Sequence, residues 1–193
     1  MKKNNGFISY KDLESYESIY RNPVVGTYRG YTIVSMGPPS SGGTLLIQML
    51  NMLENYDLGN MQRNSTEFVH LLTEVQRLAY ADRAVHLGDP DFWQNPIQML
   101  TSKQYAKERL KLISSSTATA STEIAAGNQL SESMETTHYS VMDKEGNTAG
   151  ITTTINLSYG NKKIVDGAGF LLNNEMDDFS SKPNVPNAFG LIG

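Results

Sequence analysis

Leu13, Tyr16 and Ile19/Tyr20 recur at helical spacing behind Ser9, and Asp12 follows Ser9 by three, so the chain opens on a predicted capped helix that Pro23 ends. Residues 27–34 alternate as two short strands about a tight turn, with Gly30 supplying the positive φ. The loop Gly37-Pro38-Pro39-Ser40-Ser41-Gly42-Gly43-Thr44 then feeds a helix whose expected apolar stripe is Leu46, Met49, Leu50 and Leu53, with Gly59 as its stop. A second long helix is expected to start at Asn64, with Glu67 closing a capping box, and to run through Phe68, Leu71, Leu72, Val75, Leu78 and Ala79 towards Gly88. After the Asp89-Pro90-Asp91 turn a third is expected over residues 102–113.

The period then changes. Residues 114–135 begin with a Ser/Thr/Ala run that buries too little apolar surface to offset an ordering cost of ~1–2 kcal/mol per residue, and they read as an exposed tether. Beyond it, residues 138–142, a turn at 143–147 and residues 148–155 predict a β-hairpin. Phe170-Leu171-Leu172 forms a short apolar run after a Gly-Ala-Gly loop, and residues 182–193 read as a surface loop. The pattern predicts an α+β chain: a mainly helical part over 1–135 ending in the tether of about 114–135, and a β-rich part over 136–193. So few strands need partners for their faces and edges, so the chain reads as a piece of something larger.

Composition narrows the chemistry. The 193 residues are 39% hydrophobic and 19% charged, with a net charge of −4, which gives no basic footprint for nucleic acid. No apolar run approaches the ~20 residues of a membrane span. No apolar stretch follows Lys2-Lys3, so no signal peptide is expected in this chain. There is no cysteine, and His70, His86 and His138 are widely spaced, so neither a disulfide framework nor a histidine metal site is expected. No cofactor is expected.

Three places invite a chemical reading. The Gly37–Thr44 loop lacks the lysine of a phosphate loop and reads as a helix start capped by Ser40 or Ser41. Tyr80-Ala81-Asp82-Arg83 and Gly88-Asp89-Pro90-Asp91 read as structural, with Asp82 and Arg83 in ion pairs and Asp89 and Asp91 as turn residues. The third is Glu135-Thr136-Thr137-His138, where tether becomes strand. A cut before Thr136 would expose an α-amine of ordinary pKa about 7.7–8.0 beside a hydroxyl on the same residue, a self-activating nucleophile. Taken alone, Thr-Thr reads more readily as a good strand former, and that reading would prevail.

The pattern around it resembles the γ-glutamyltransferase (γ-glutamyltranspeptidase) family. The resemblance is carried by Thr136-Thr137-His138-Tyr139-Ser140-Val141, Asp143-Lys144-Glu145-Gly146-Asn147, Thr152-Thr153-Thr154-Ile155-Asn156 and Tyr159-Gly160, with Pro38-Pro39-Ser40-Ser41-Gly42-Gly43, Tyr80-Ala81-Asp82-Arg83, Gly88-Asp89-Pro90-Asp91-Phe92 and Leu171-Leu172-Asn173-Asn174-Glu175-Met176-Asp177-Asp178-Phe179-Ser180 in order. It implies an N-terminal-nucleophile hydrolase with a four-layer αββα core, made as a precursor that cuts itself between Glu135 and Thr136. Thr136 would then carry the γ-glutamyl group of glutathione or a related donor to water or to an amino-acid or peptide acceptor.

By the same resemblance Thr154 bonds the nucleophile's hydroxyl, and Asn156, expected on the same face of one strand as Thr154, holds the donor's α-amino end with Glu175 and Asp178. Residues 183–190 match a lid loop, with Phe189 where a tyrosine is often found. The chain would be an internal portion spanning the end of the large-subunit region and the start of the small-subunit region. The arginine that grips the α-carboxylate would lie upstream, and a serine pair and an oxyanion-hole glycine pair beyond Gly193, so this portion alone is expected to be inactive. Family members are usually exported, which implies a periplasmic or extracellular location. The competing expectations are a related acylase, such as a poly-γ-glutamate depolymerase or a cephalosporin acylase, and a non-catalytic fragment or binding module.

Overall fold

A computed structural model describes residues 6–120, 137–179, 182 and 185, and the chain divides into two compact units, Met1–Ala126 and Gly127–Gly193. The first unit contains helix α1 (Tyr10–Glu14), strands β1 (Val24–Tyr28) and β2 (Tyr31–Ser35), and helices α2 (Gly42–Leu53), α3 (Thr66–His86), α4 (Ile97–Leu100) and α5 (Lys103–Leu110). The second contains strands β3 (Thr137–Met142) and β4 (Thr148–Thr153) and a 3₁₀ turn, Glu175–Asp178.

Helix α1 has the expected capping box, with Ser9 and Asp12 bonded reciprocally. It lasts only five residues and buries none of its side chains, so nothing beyond the cap offsets the cost of extending so short a helix. β1 and β2 pair antiparallel from Val24↔Ser35 to Tyr28↔Tyr31, turning at Arg29-Gly30 with Gly30 at φ 87°.

Helix α2 is the hub of the first unit, touching both strands and α3, α4 and α5. That position corrects the expected stripe in part: Met49 and Leu53 do pack against the core, but they are not its most buried residues. The residues buried are Gly43, Thr44, Leu45, Ile47, Gln48, Asn51 and Met52, while Leu46 is 40% exposed. A single-stripe reading assumes one buried face, and a helix packed on several sides buries polar residues where partners exist. Gln48 donates to Asp82, and Asn51 donates to the Thr101 carbonyl at 2.7 Å. The helix also ends at Leu53 rather than near Gly59. Leu45 and Met52 join Leu71, Val75, Leu78, Ala79 and Ala106 in the core. Gly43 is fixed by close approach, since a Cβ there would lie 2.1 Å from the Met36 carbonyl oxygen.

α3 starts one residue later than expected. Asn64 sits in the left-handed region at φ 61° and Ser65 is the cap, accepting from the Phe68 N–H at 3.2 Å, so Asn64 and Glu67 form no capping box. The helix expected over residues 102–113 appears as α5, which Ser102 caps and which closes at Leu110, and the single turn α4, which buries Leu100, was not foreseen. The start of the expected tether is not free. His70 bonds the Ser114 carbonyl at 2.7 Å, and Thr119 donates its N–H (3.3 Å) and its hydroxyl (2.5 Å) to Glu74, which is 2% exposed on α3. The remainder of that stretch, 121–135, lies outside the described residues, as does most of the expected loop over 182–193.

Asp82 forms its expected ion pair, to Arg109 at 3.1 Å, and accepts from the Tyr105 hydroxyl at 3.0 Å. Arg83 instead donates to the Ser41 hydroxyl at 2.9 Å. Asp91 accepts a two-pronged bond from Arg21 at 2.9 and 3.2 Å.

In the second unit β3 and β4 pair antiparallel from Thr137↔Thr153 to Met142↔Thr148. The Asp143 carboxylate ties the turn, accepting from the Glu145 and Asn147 N–H groups and from the Asn147 amide. β4 ends at Thr153, short of the expected Ile155, and the chain turns through 157–161 and returns over an isolated bridge, Ile164↔Leu171.

Candidate functional site

The candidate site lies in the second unit, where the exit from β4 meets the 3₁₀ turn. The Thr154 hydroxyl accepts the Asn156 N–H at 2.9 Å, and Asn156 adopts φ 71°. The expectation that Thr154 and Asn156 share one strand face is therefore corrected. The strand has already ended, and a side-chain-to-backbone bond of the kind threonine makes in turns redirects the chain between them. The turn buries Asn156 to 2% exposure, and its Nδ2 donates to the Asn174 carbonyl at 3.1 Å and to Asp178 Oδ1 at 2.7 Å.

Glu175 is the first residue of the 3₁₀ turn, its N–H donating to Asn173 Oδ1 at 3.0 Å. Its side chain is half-buried, and Oε1 is buried with no hydrogen-bond partner among the described residues. Burial, and after it the charge of Asp178, pushes the Glu175 carboxyl above its ordinary value. An unsatisfied buried carboxylate oxygen beside a second carboxylate favours an incoming cation that can donate hydrogen bonds, and a primary ammonium has three donors.

The described structure thus brings Thr154, Asn156, Glu175 and Asp178 into one cluster. Glu135, Thr136 and Phe189 lie outside the described residues. Sequence reasoning missed Asn174, which bonds both segments of the cluster. Its signal was the Asn173-Asn174 pair before an acidic run, the type of residue that ties turns through short amide side chains. Among the described residues no group of three or more His, Asp or Glu side chains is arranged to hold a metal ion.

An acid-and-amide cluster at the end of a strand that follows a Thr-Thr junction is the setting in which the family comparison falls. Residues 1–192 match the gamma-glutamyltranspeptidase family model, and the chain belongs to that family. The glutathione hydrolase proenzyme of Escherichia coli strain K12 is 47% identical over 194 residues, covering 100% of this chain and 33% of that protein. The acylase ACY 1 proenzyme of Pseudomonas sp. strain SE83 is 43% identical, covering 95% of this chain and 32% of that protein. Among solved structures, the gamma-glutamyltranspeptidase of Helicobacter pylori aligns with a TM-score of 0.63 at 49% identity, over 69% of this chain and 39% of that one. Cephalosporin acylase from Bacillus halodurans aligns with a TM-score of 0.74 over 99% of this chain and 34% of that one; at 22% identity it speaks to fold alone. The chain spans about a third of the length of the curated relatives it matches.

Proposed function

We propose that this chain carries the processing junction and the amino-group subsite of a γ-glutamyl transferase and hydrolase with the four-layer αββα core of N-terminal-nucleophile hydrolases. Its large-subunit portion covers 1–135 and its small-subunit portion starts at 136. The Thr136 hydroxyl attacks the Glu135 carbonyl carbon, the peptide nitrogen leaves as the Thr136 amine, and water hydrolyses the resulting ester. The freed amine then accepts the proton of the same residue's hydroxyl as that oxygen attacks the γ-carbonyl of glutathione or a related donor. The amine of the departing group takes a proton. Water or the amine of an amino acid or peptide then attacks the acyl-enzyme, which gives hydrolysis or transfer.

Thr154 bonds the nucleophile's hydroxyl in this scheme, and Asn156, Glu175 and Asp178 receive the donor's α-ammonium. Phe189 belongs to a lid over the pocket. The α-carboxylate grip and the oxyanion donors come from parts of the protein outside this chain, and loss of one such donor alone costs about 10²–10³ in rate, so the 193 residues by themselves are inactive. The whole protein acts in the periplasm or outside the cell.

The observation that carries this reading is the unsatisfied Glu175 Oε1 beside Asp178, which Asn156 holds in place. A free α-ammonium suits that pair. An internal residue of a γ-linked polymer presents no such group, which favours a glutathione-like donor over a polymer. The test is hydrolysis of a chromogenic γ-glutamyl anilide by the full-length protein and by its Thr136→Ala variant. The expected result is turnover by the first and none by the second. Equal rates would reject Thr136 as the nucleophile, and no turnover by either would favour a non-catalytic binding module.

A further inference from the structure

Asn174 makes five hydrogen bonds at the candidate site. Its N–H donates to the Ile155 carbonyl at 3.2 Å, and its carbonyl accepts from Asn156 Nδ2 at 3.1 Å and from the Asp177 N–H at 3.0 Å. Its side-chain Oδ1 accepts from the Leu157 N–H at 3.1 Å, and its Nδ2 donates to Asp177 Oδ2 at 2.9 Å. Any residue supplies the three backbone bonds. The two side-chain bonds need an acceptor and a donor together on a one-carbon stem: aspartate lacks the donor, and alanine lacks both.

The two side-chain bonds reach the two halves of the cluster. Leu157 follows Asn156, whose φ of 71° lies in the left-handed region that asparagine enters more readily than other side chains but that is still uncommon for it. The bond to the Leu157 N–H anchors that turn from one side, and the Thr154 hydroxyl anchors it from the other. The bond to Asp177 engages the first of two adjacent aspartates, while the second, Asp178, accepts from Asn156. One carboxamide therefore joins the segment that presents Asn156 to the turn that presents Glu175 and Asp178.

We propose that Asn174 is a positioning residue for recognition of the donor's α-amino group, its carboxamide holding Asn156, Glu175 and Asp178 in mutual register. This rests on the reading of those three residues as the ammonium subsite. It predicts that loss of the carboxamide weakens discrimination for the α-amine more than it weakens the acyl-transfer chemistry.

The test uses the full-length enzyme and two anilides that differ only in that amine, γ-glutamyl p-nitroanilide and its des-amino analogue glutaryl p-nitroanilide. The quantity read is the ratio of their kcat/KM values. Asn174→Ala is expected to lower the ratio about tenfold, mainly through KM for the γ-glutamyl substrate, as loss of ordered hydrogen bonding would. Asn174→Asp is expected to lower it as well, since it sets a carboxylate against Asp177. Adding Asp177→Asn to Asn174→Asp reverses the direction of that bond and is expected to restore the ratio.

An unchanged ratio in Asn174→Ala, a parallel fall for both substrates, or a double variant no better than Asn174→Asp alone overturns the proposal. Glu175→Gln separates this failure from failure of the subsite reading. If Glu175→Gln leaves the ratio intact, the subsite is elsewhere; if it collapses the ratio while Asn174→Ala does not, only the role of Asn174 falls.

Discussion

Glu175 meets two opposing demands, because its surroundings favour the acid form and its proposed ligand needs the carboxylate. Burial raises its pKa first and the neighbouring charge of Asp178 second, so the folded protein holds this proton at a pH where the unfolded chain has released it. The resulting contribution to stability is full below the unfolded value and declines as pH rises through the folded one. Urea unfolding across the acid range should show that decline, and Glu175→Gln should flatten it. Donor binding runs the other way: KM should rise as pH falls through the raised pKa. Glu175→Gln should raise KM for γ-glutamyl p-nitroanilide roughly tenfold or more at neutral pH, the scale of one lost charge-assisted bond, and should remove that acid limb. An acid limb that survives unchanged in the variant would assign it to another group.

Tyr105 shows the same logic in a structural role. Burial, then the charge of Asp82 and the bond to it, push its phenol up to about 12 from 10.0. Stability tied to this proton is complete below about pH 10 and is lost as pH rises towards 12. Alkaline unfolding of Tyr105→Phe should lack that component.

At the scale of elements, the second unit depends on contacts that regular strands do not supply. Gly160 has φ 51°, and a Cβ there would sit 2.1 Å from the Leu172 carbonyl oxygen, the acceptor of the Asn161 N–H. Gly160→Ala should cost about 1–3 kcal/mol in strain and clash. Faster hydrogen exchange at the Asn161 amide is the measurement that checks it, and unchanged protection would contradict the close packing. On α3, Glu74→Ala removes the acceptor for both bonds from Thr119. Limited proteolysis should then cut within residues 115–119 much faster than in the unaltered protein, since Thr119 would lose its hold on the helix while Ser114 kept its bond to His70.

These elements also mark where sequence patterns stop being informative. The hairpins, the Ser9 cap and the long α3 were legible because their signals are local: alternation, a capping side chain, a repeat of 3.6. The buried face of α2 was not, because Thr44, Gln48 and Asn51 are buried through packing on several elements, with acceptors for Gln48 and Asn51 at Asp82 and Thr101, distant in sequence. At the start of the tether residues 115–118 are exposed as expected, but the bonds of Ser114 and Thr119 to α3 could not be read for the same reason. At the site, residue types and order pointed to Asn156, Glu175 and Asp178, but the left-handed turn at Asn156 and the cross-links made by Asn174 join segments about twenty residues apart and leave no periodic trace.

For the whole molecule, the family supplies the frame and this chain supplies about a third of its relatives' length. No helix among the described residues is long and apolar enough to cross a membrane. Within that frame the account turns on the proposal that the Thr136 hydroxyl first breaks the bond before it and then, with the freed amine as its base, attacks the donor. The most direct measurement is intact mass spectrometry of the full-length protein, alone and after brief exposure to a γ-glutamyl donor. The account predicts two polypeptides meeting at Glu135/Thr136, with a transient γ-glutamyl adduct on the one that begins with Thr136. A single uncut polypeptide that turns over the donor at full rate would contradict it.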